Sequence, residues 1–570
     1  MKFFLLILLV LAGCTKNSNR TDTLEISLSG EISTIDPAAC YDGICAYPVT
    51  QVYESLYEFE YLKRPYSLRP LLAEGQPKVS ADGLTYTFKI KKGIKYHPSE
   101  LVKAGREVKA QDFINQIKRL AFQGTTTSRG FWLFDGRILG LNEWRDKVKT
   151  DLNLFFSEAV PGLTAPDDHT LVIQIKRPYP QLLFAMSMHF TTPIPEEAII
   201  ATKNDFSSKS IGTGAYMMTT YNSTQGADFV KFKDYNSSVY PSEGDRWAQE
   251  NELLKDAGAK LPFVEKVRLV VIKETQTDWL NFLKKKIDLI ILTKDHYDVA
   301  LTKDGKLKPE IIKDDIQLQS IPTLIYWWIA FNLKDPVVSN INVRKSIAHA
   351  VNIDKYIEIF TYNVAQKANS IYPPGIPGYN PSATLPYKYD IALAKEYLKK
   401  AGFPDGKGLP KLQFDVRGSD TRRRQMGEFI QQELRQIGIE VEVVINTFPR
   451  FLEKARKGEL QFWQGGWILD YPDAENVLQL LTEQNLPPGQ NYFNYVNKDY
   501  EKYFTEVREL QDGKRKFELM KKMEDIVNTE LPWIMQFYSR NYVLTHKHLK
   551  NYMYSDIIYN NFKYLKLEGK

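Results

Sequence analysis

Between residues 412 and 445 a short apolar run, 412–416, is followed by a helix-like stretch, 422–436, and a second apolar run, 439–445, with Gly438 placed to end the helix. A strand, helix and strand in that order form a right-handed βαβ unit in a sheet with parallel strands. The order occurs a second time at 264–272, 278–286 and 287–292. Together the two units commit the chain to an α/β class, in which ligands bind beyond the carboxyl ends of the strands, often in a crevice between lobes. Other signals fit around them. Residues 24–28 alternate like a strand before the turn Asp36-Pro37, and the apolar run 52–59 predicts an early buried helix. Asp82-Gly83 opens the alternating run 84–90, a hairpin strand stopped by Gly93, and 109–120 follows as an amphipathic helix. At 570 residues the chain exceeds one hydrophobic core, so two or three domains are expected.

The N-terminus says where such a chain works. Lys2, the apolar run 3–10 and then Leu11-Ala12-Gly13-Cys14 read as a signal peptide, 1–13, ending in a lipidation box. The run is too short for a bilayer core of about 30 Å. An ordinary cleaved signal that happens to carry a cysteine is the rival reading. With Cys14 lipidated, residues 14–23 become a polar tether that holds the protein on the outer face of a membrane. Net charge is +6, or +5 without Lys2, spread over mixed signs with no basic stripe, which argues against nucleic acid as a partner. Of 3 cysteines, Cys40 and Cys45 remain. A local disulfide and two free thiols in a loop both fit their spacing, and no adjacent histidine suggests zinc.

Enzyme signatures fail one by one. The sequence has no Gly-x-Ser-x-Gly elbow, no His-Glu-x-x-His pair and no phosphate loop ending in Gly-Lys-Ser/Thr, and Gly212-Thr213-Gly214 lacks the third glycine of a dinucleotide fingerprint. His546-Lys547-His548 reads as an exposed strand or loop. Arg422-Arg423-Arg424 points around a helix and reads as a solvated face. The expectation is a binding protein with no cofactor, no metal and no catalytic residue.

Several segments carry a resemblance. They are Ser80-Ala81-Asp82-Gly83-Leu84-Thr85-Tyr86-Thr87-Phe88, Lys92-Gly93-Ile94-Lys95-Tyr96-His97, Val108-Lys109-Ala110-Gln111-Asp112-Phe113, Ile211-Gly212-Thr213-Gly214-Ala215-Tyr216, Phe331-Asn332 with the segment 342–351, and 467–473 followed by Asn491-Tyr492-Phe493. In this order they resemble the bacterial extracellular solute-binding proteins of family 5, which serve importers of peptides and nickel. The segments at 125–156 and 235–259 have no counterpart in that pattern.

The resemblance implies a two-lobed type II clamp with a family-specific extra domain, three domains in all. The first lobe is expected to combine a ligand-facing domain, 24–55 with 189–323 and 536–570, and the extra domain, 56–188, and the second lobe to span 324–535. It implies a monomer that captures short peptides and delivers them to the permease subunits of an ABC importer. Alternatives are a receptor for a nickel chelate or oligosaccharide, and a surface sensor or scavenger without a transporter.

For the site, the resemblance implies that Asp470 in Gly465-Gly466-Trp467-Ile468-Leu469-Asp470 holds a ligand's α-ammonium, with Gly466 and Trp467 beside it. Asp473 reads as a cap for the following helix. A second strip, Tyr41-Asp42-Gly43-Ile44, faces it from the first lobe, and Tyr538 returns toward the hinge. Gln464 stands where peptide binders carry an arginine for the peptide carboxylate, leaving that role open. Trp327, Trp328 and Trp463 read mainly as core.

Overall fold

The computed structural model describes residues 22–124, 128–302, 305–312, 315–418 and 421–569; the signal, Cys14 and the tether up to residue 21 lie outside them. Two unusually long antiparallel strands organise the rest, Ile316–Phe331 and Trp533–His546. Ile316 to Pro322 pair with His546 to Arg540, and Tyr326 to Ala330 pair with Tyr538 to Trp533, with the register broken between Pro322 and Tyr326. Proline donates no ladder hydrogen bond, so a break belongs there.

On one side of that break the sheet continues through Leu289–Ile291, Thr23–Leu28, Lys266–Val271, Gly226–Lys231 and Tyr216–Asn222. On the other side it continues through Phe462–Ile468, Leu412–Val416 and Val441–Ile445. The molecule is therefore two lobes joined by two continuous strands, a geometry suited to hinge bending.

Both predicted βαβ units are present. Leu412–Val416 and Val441–Ile445 pair in parallel and are joined by the helix Thr421–Arg435. Lys266–Val271 and Leu289–Ile291, joined by the helix Thr275–Leu283, each pair in parallel with Thr23–Leu28, which lies between them. Gly438 turns the chain from helix to strand at φ 86°, and a Cβ there would stand 2.1 Å from the Asp405 carbonyl oxygen.

The extra domain is a four-stranded antiparallel sheet ordered Lys78–Val79, Thr85–Lys89, Thr170–Gln174 and Leu163–Asp167. The helix Ala110–Ala121 supplies Phe113 and Ile117 to a core shared with Phe88, Leu171 and Ile173 and continuous with that of the first lobe.

Two expectations need correction. The helix expected at 52–59 lies earlier, at Gly43–Val52, and Tyr57–Phe59 is a strand paired with Leu68–Pro70. A short apolar run does not distinguish helix from strand, and here the Asp42 cap fixes the helix start. His546 is buried, its Nε2 set 2.8 Å from the Phe282 carbonyl oxygen, and His548 Nε2 lies 2.8 Å from Asp288 Oδ1, so neither belongs to an exposed loop. Arg422 and Arg424 are exposed, as expected of a solvated helix face, and Arg423 between them is half-buried with its guanidinium 5.9 Å from the Trp327 ring centroid.

The two unmatched segments also find places. The first supplies the helices Leu141–Val148 and Leu152–Ser157, which pack Trp144 against Phe155. The second supplies the helix Arg246–Glu250 and Tyr240, which packs with Tyr61, Leu62, Ile558 and Tyr564.

Candidate functional site

The parallel strands of the second lobe end on the side that meets the first lobe. In Phe462–Ile468, the positions of Gly465 and Gly466 are set by neighbouring indoles. A Cβ on Gly465 would stand 2.6 Å from Trp328 Nε1, and one on Gly466 2.8 Å from the Trp327 ring. Ile468, at the strand's end, is 60% exposed, so the chain leaves the core there.

Two residues on, Asp470 is half-buried and held from both sides. Asn476 Nδ2 donates to its Oδ2 at 3.2 Å, and Asn476 Oδ1 accepts the Asp470 backbone N–H at 3.2 Å and the Trp467 indole N–H at 2.9 Å. Across the cleft, the Tyr41 hydroxyl donates to Asp470 Oδ1 at 3.0 Å. Burial raises the Asp470 pKa above the ordinary carboxylate value, the bonds from Asn476 and Tyr41 oppose that, and nearby Glu475 adds to it. No lysine or arginine pairs with Asp470 among the described residues. Asp473 differs: it accepts the Glu475 backbone N–H at 2.7 Å and pairs with Lys516 at 2.7 Å, a capping and bridging role.

The facing strip is built rigidly. Cys40 and Cys45 form a disulfide with Cα atoms 5.8 Å apart. Asp42 caps the helix Gly43–Val52 through bonds from Ile44 N at 3.0 Å and Cys45 N at 2.9 Å. Gly43 lies against Tyr559, whose hydroxyl would be 3.3 Å from a Cβ, and Ile44 packs on the first-lobe core. Tyr41 is 47% exposed, with Asp42 and Gly43 exposed beside it and Ile44 half-buried. Closing a loop this short by a disulfide restricts the unfolded chain by about 2 kcal/mol. The Cys40→Ser/Cys45→Ser variant is expected to lose about that much stability in denaturant titration.

The walls around Asp470 are aromatic. Tyr471 stacks on Phe184 with centroids 5.6 Å apart and on Trp132 at 6.4 Å, both residues of the first lobe. Gln181 Nε2 also reaches Asp473 Oδ1 at 3.4 Å. Farther along the same wall, Arg417 follows Leu412–Val416, the parallel neighbour of Phe462–Ile468. Its guanidinium lies 5.0 Å over Trp327 and 5.3 Å over Phe448, with no carboxylate partner among the described residues. Burial and then neighbouring Arg423 push its pKa down to about 10, which leaves it cationic at neutral pH.

Two expected site residues lie elsewhere. Gln464 is 5% exposed and donates to the Tyr356 hydroxyl at 2.6 Å and Gln536 Oε1 at 2.9 Å, so its amide belongs to the core. Tyr538 is 0% exposed, and its hydroxyl is spent on the Ser370 and Tyr372 carbonyl oxygens at 2.7 and 3.0 Å. Sequence reasoning missed Asn476, Trp132 and Arg417. The available signal for Asn476 was a polar amide three residues past Asp473, in the short helix Glu475–Leu478.

Two α/β lobes on a pair of crossing strands, with a carboxylate and a tyrosine meeting between them, define a periplasmic-type binding protein. Residues 67–486 match the model described as bacterial extracellular solute-binding proteins, family 5 Middle, and the chain belongs to that family. Its members bind solutes and catalyse no reaction. The chain is 24% identical to heme-binding protein A of Haemophilus influenzae over 99% of this chain and 98% of the relative. It is also 24% identical to the dipeptide-binding protein of Escherichia coli, over 88% of this chain and 86% of that protein. The solved structure of the periplasmic binding protein DppA from Helicobacter pylori, in complex with the peptide STSA, is similar with a TM-score of 0.74 over 96% of this chain and 98% of that one, at 23% identity. This likeness carries the fold.

Proposed function

We propose that this protein is the receptor of an ABC importer, tethered outside the cell by lipid on Cys14, which captures short peptides as a monomer and hands them to the permease. The first lobe joins the ligand-facing domain, 24–55 with 189–323 and 536–570, to the extra domain, 56–188, and the second lobe is 324–535. The observation that carries the reading is Asp470: a half-buried carboxylate between the lobes, oriented by Asn476 and Tyr41, with no basic partner among the described residues. Carboxylate oxygens offer about four acceptor sites. Tyr41 and Asn476 take one each, which leaves room for an ammonium.

Arg417, beyond the end of a neighbouring parallel strand, serves the peptide carboxylate in place of Gln464. The exposed Ile468 and Phe448 and half-buried Trp327 and Trp467 suit apolar side chains. Both dipeptide- and heme-named relatives align over most of the chain, so hemin belongs in the test beside peptides.

The test is a thermal-shift and calorimetric screen with free peptides, their N-acetylated forms and hemin. Free peptides are expected to raise the melting temperature and acetylated ones to leave it unchanged. Binding by hemin alone would discard the peptide assignment.

A pH dependence follows from the same carboxylate. Its pKa is raised, so on acidification a proton competes with the ammonium before an ordinary carboxylate would titrate. Peptide affinity is expected to be flat at higher pH and to fall as pH drops through that raised pKa. Isothermal titration at descending pH reads this directly, and an Asp470→Ala variant should have lost that portion of the profile.

A further inference from the structure

We propose that Trp132 determines which peptides the cleft prefers, by forming the wall for the side chain next to the ligand's ammonium and donating its indole N–H to the first peptide carbonyl. This rests on the peptide reading above and adds a specificity determinant to it.

Placement is the first argument. Trp132 lies in the short 3₁₀ turn Phe131–Leu133, anchored by buried Leu133 and Phe134 and by the Arg145 guanidinium 4.7 Å over Phe131. The Arg129 backbone N–H donates to the Ala38 carbonyl at 2.9 Å, which ties this segment to the start of the Tyr41 strip. From that base the indole meets Tyr41 edge-on, with centroids 6.4 Å apart and planes at 84°, and lies parallel to Tyr471 at 6.4 Å and 16°. Tyr41 is bonded to Asp470 and Tyr471 follows it in the chain, so the indole adjoins both neighbours of the carboxylate.

The second argument is an unmade bond. Trp132 is half-buried, and its Nε1–H is shielded from solvent with no acceptor among the described residues. Shielded donors normally find partners. Beside an α-ammonium, a peptide presents its first carbonyl oxygen and its first side chain. The carboxylate, the indole N–H and the rings of Trp132 and Tyr41 match those three groups. The favoured ligands are peptides with a free amine and an aromatic first residue.

The test is calorimetry of Phe-Ala-Ala and Ala-Ala-Ala with wild-type protein, Trp132→Ala and Trp132→Phe. Aromatic packing should make wild type prefer Phe-Ala-Ala by roughly two- to tenfold. Trp132→Ala should bind both peptides equally. Trp132→Phe keeps a ring but no donor, so it should retain the preference while weakening both peptides by roughly two- to tenfold. A Trp132→Ala protein with the wild-type preference overturns this proposal and leaves the ammonium role of Asp470 standing. Failure of wild type to bind either peptide overturns both.

Discussion

Replacing Asp470 by alanine is expected to weaken free-amine peptides by about 1.5–3 kcal/mol, roughly ten- to a hundredfold in Kd, the range for a hydrogen bond to a charged group. The size follows from the surroundings. The carboxylate is half-buried and oriented by Asn476 and Tyr41, so the orientation of the acceptor is fixed before the ligand arrives. Burial that raises its pKa also means that the ionised form gains most from a cation placed beside it. Asp470→Asn separates charge from shape. It keeps the turn, whose backbone N–H still reaches Asn476, yet cannot offset an ammonium. Titration calorimetry should therefore find the asparagine variant nearly as weak as the alanine one. An asparagine variant with wild-type affinity would reduce Asp470 to a polar spacer.

How much of this could be read beforehand depends on whether the information is local. The βαβ units were legible because apolar runs, a helix period and Gly438 are written in consecutive residues. Asp470 and Tyr41 were placed on opposite lobes by resemblance, and the 3.0 Å bond that brings them together is a relation across 429 positions. Gln464 and Tyr538 show the limit. Each lies on a strand that borders the cleft, and which face its side chain takes is a matter of register that composition does not reveal. The 52–59 run failed for a different reason: its apolar character is equally suited to helix or strand, and pairing with Leu68–Pro70 decided it.

Asp36 illustrates a residue whose sequence context, a turn before proline, conceals a larger energetic role. Its carboxylate meets the Arg119 guanidinium at 2.9 Å, and Arg119 is 0% exposed, with further bonds to Gln116 and Asn204. Asp36 also accepts the Ala38 backbone N–H at 2.9 Å, and its carbonyl oxygen accepts those of Ala39 and Cys40 at 3.1 Å. Removing one member of a buried pair leaves an uncompensated charge, so Asp36→Ala is expected to cost about 3–5 kcal/mol. It should appear as an early urea transition of the first lobe. The pair as such contributes much less, because taking two charges out of water offsets most of their attraction. Asp36→Ala/Arg119→Met is accordingly expected to recover most of the lost stability. Peptide affinity supplies an independent reading. Asp36 holds the turn that leads into Tyr41, so the double variant, though stable, should bind free-amine peptides more weakly than wild type. A double variant as unstable as Asp36→Ala would show that the cost lies in the lost turn bonds and not in the stranded guanidinium.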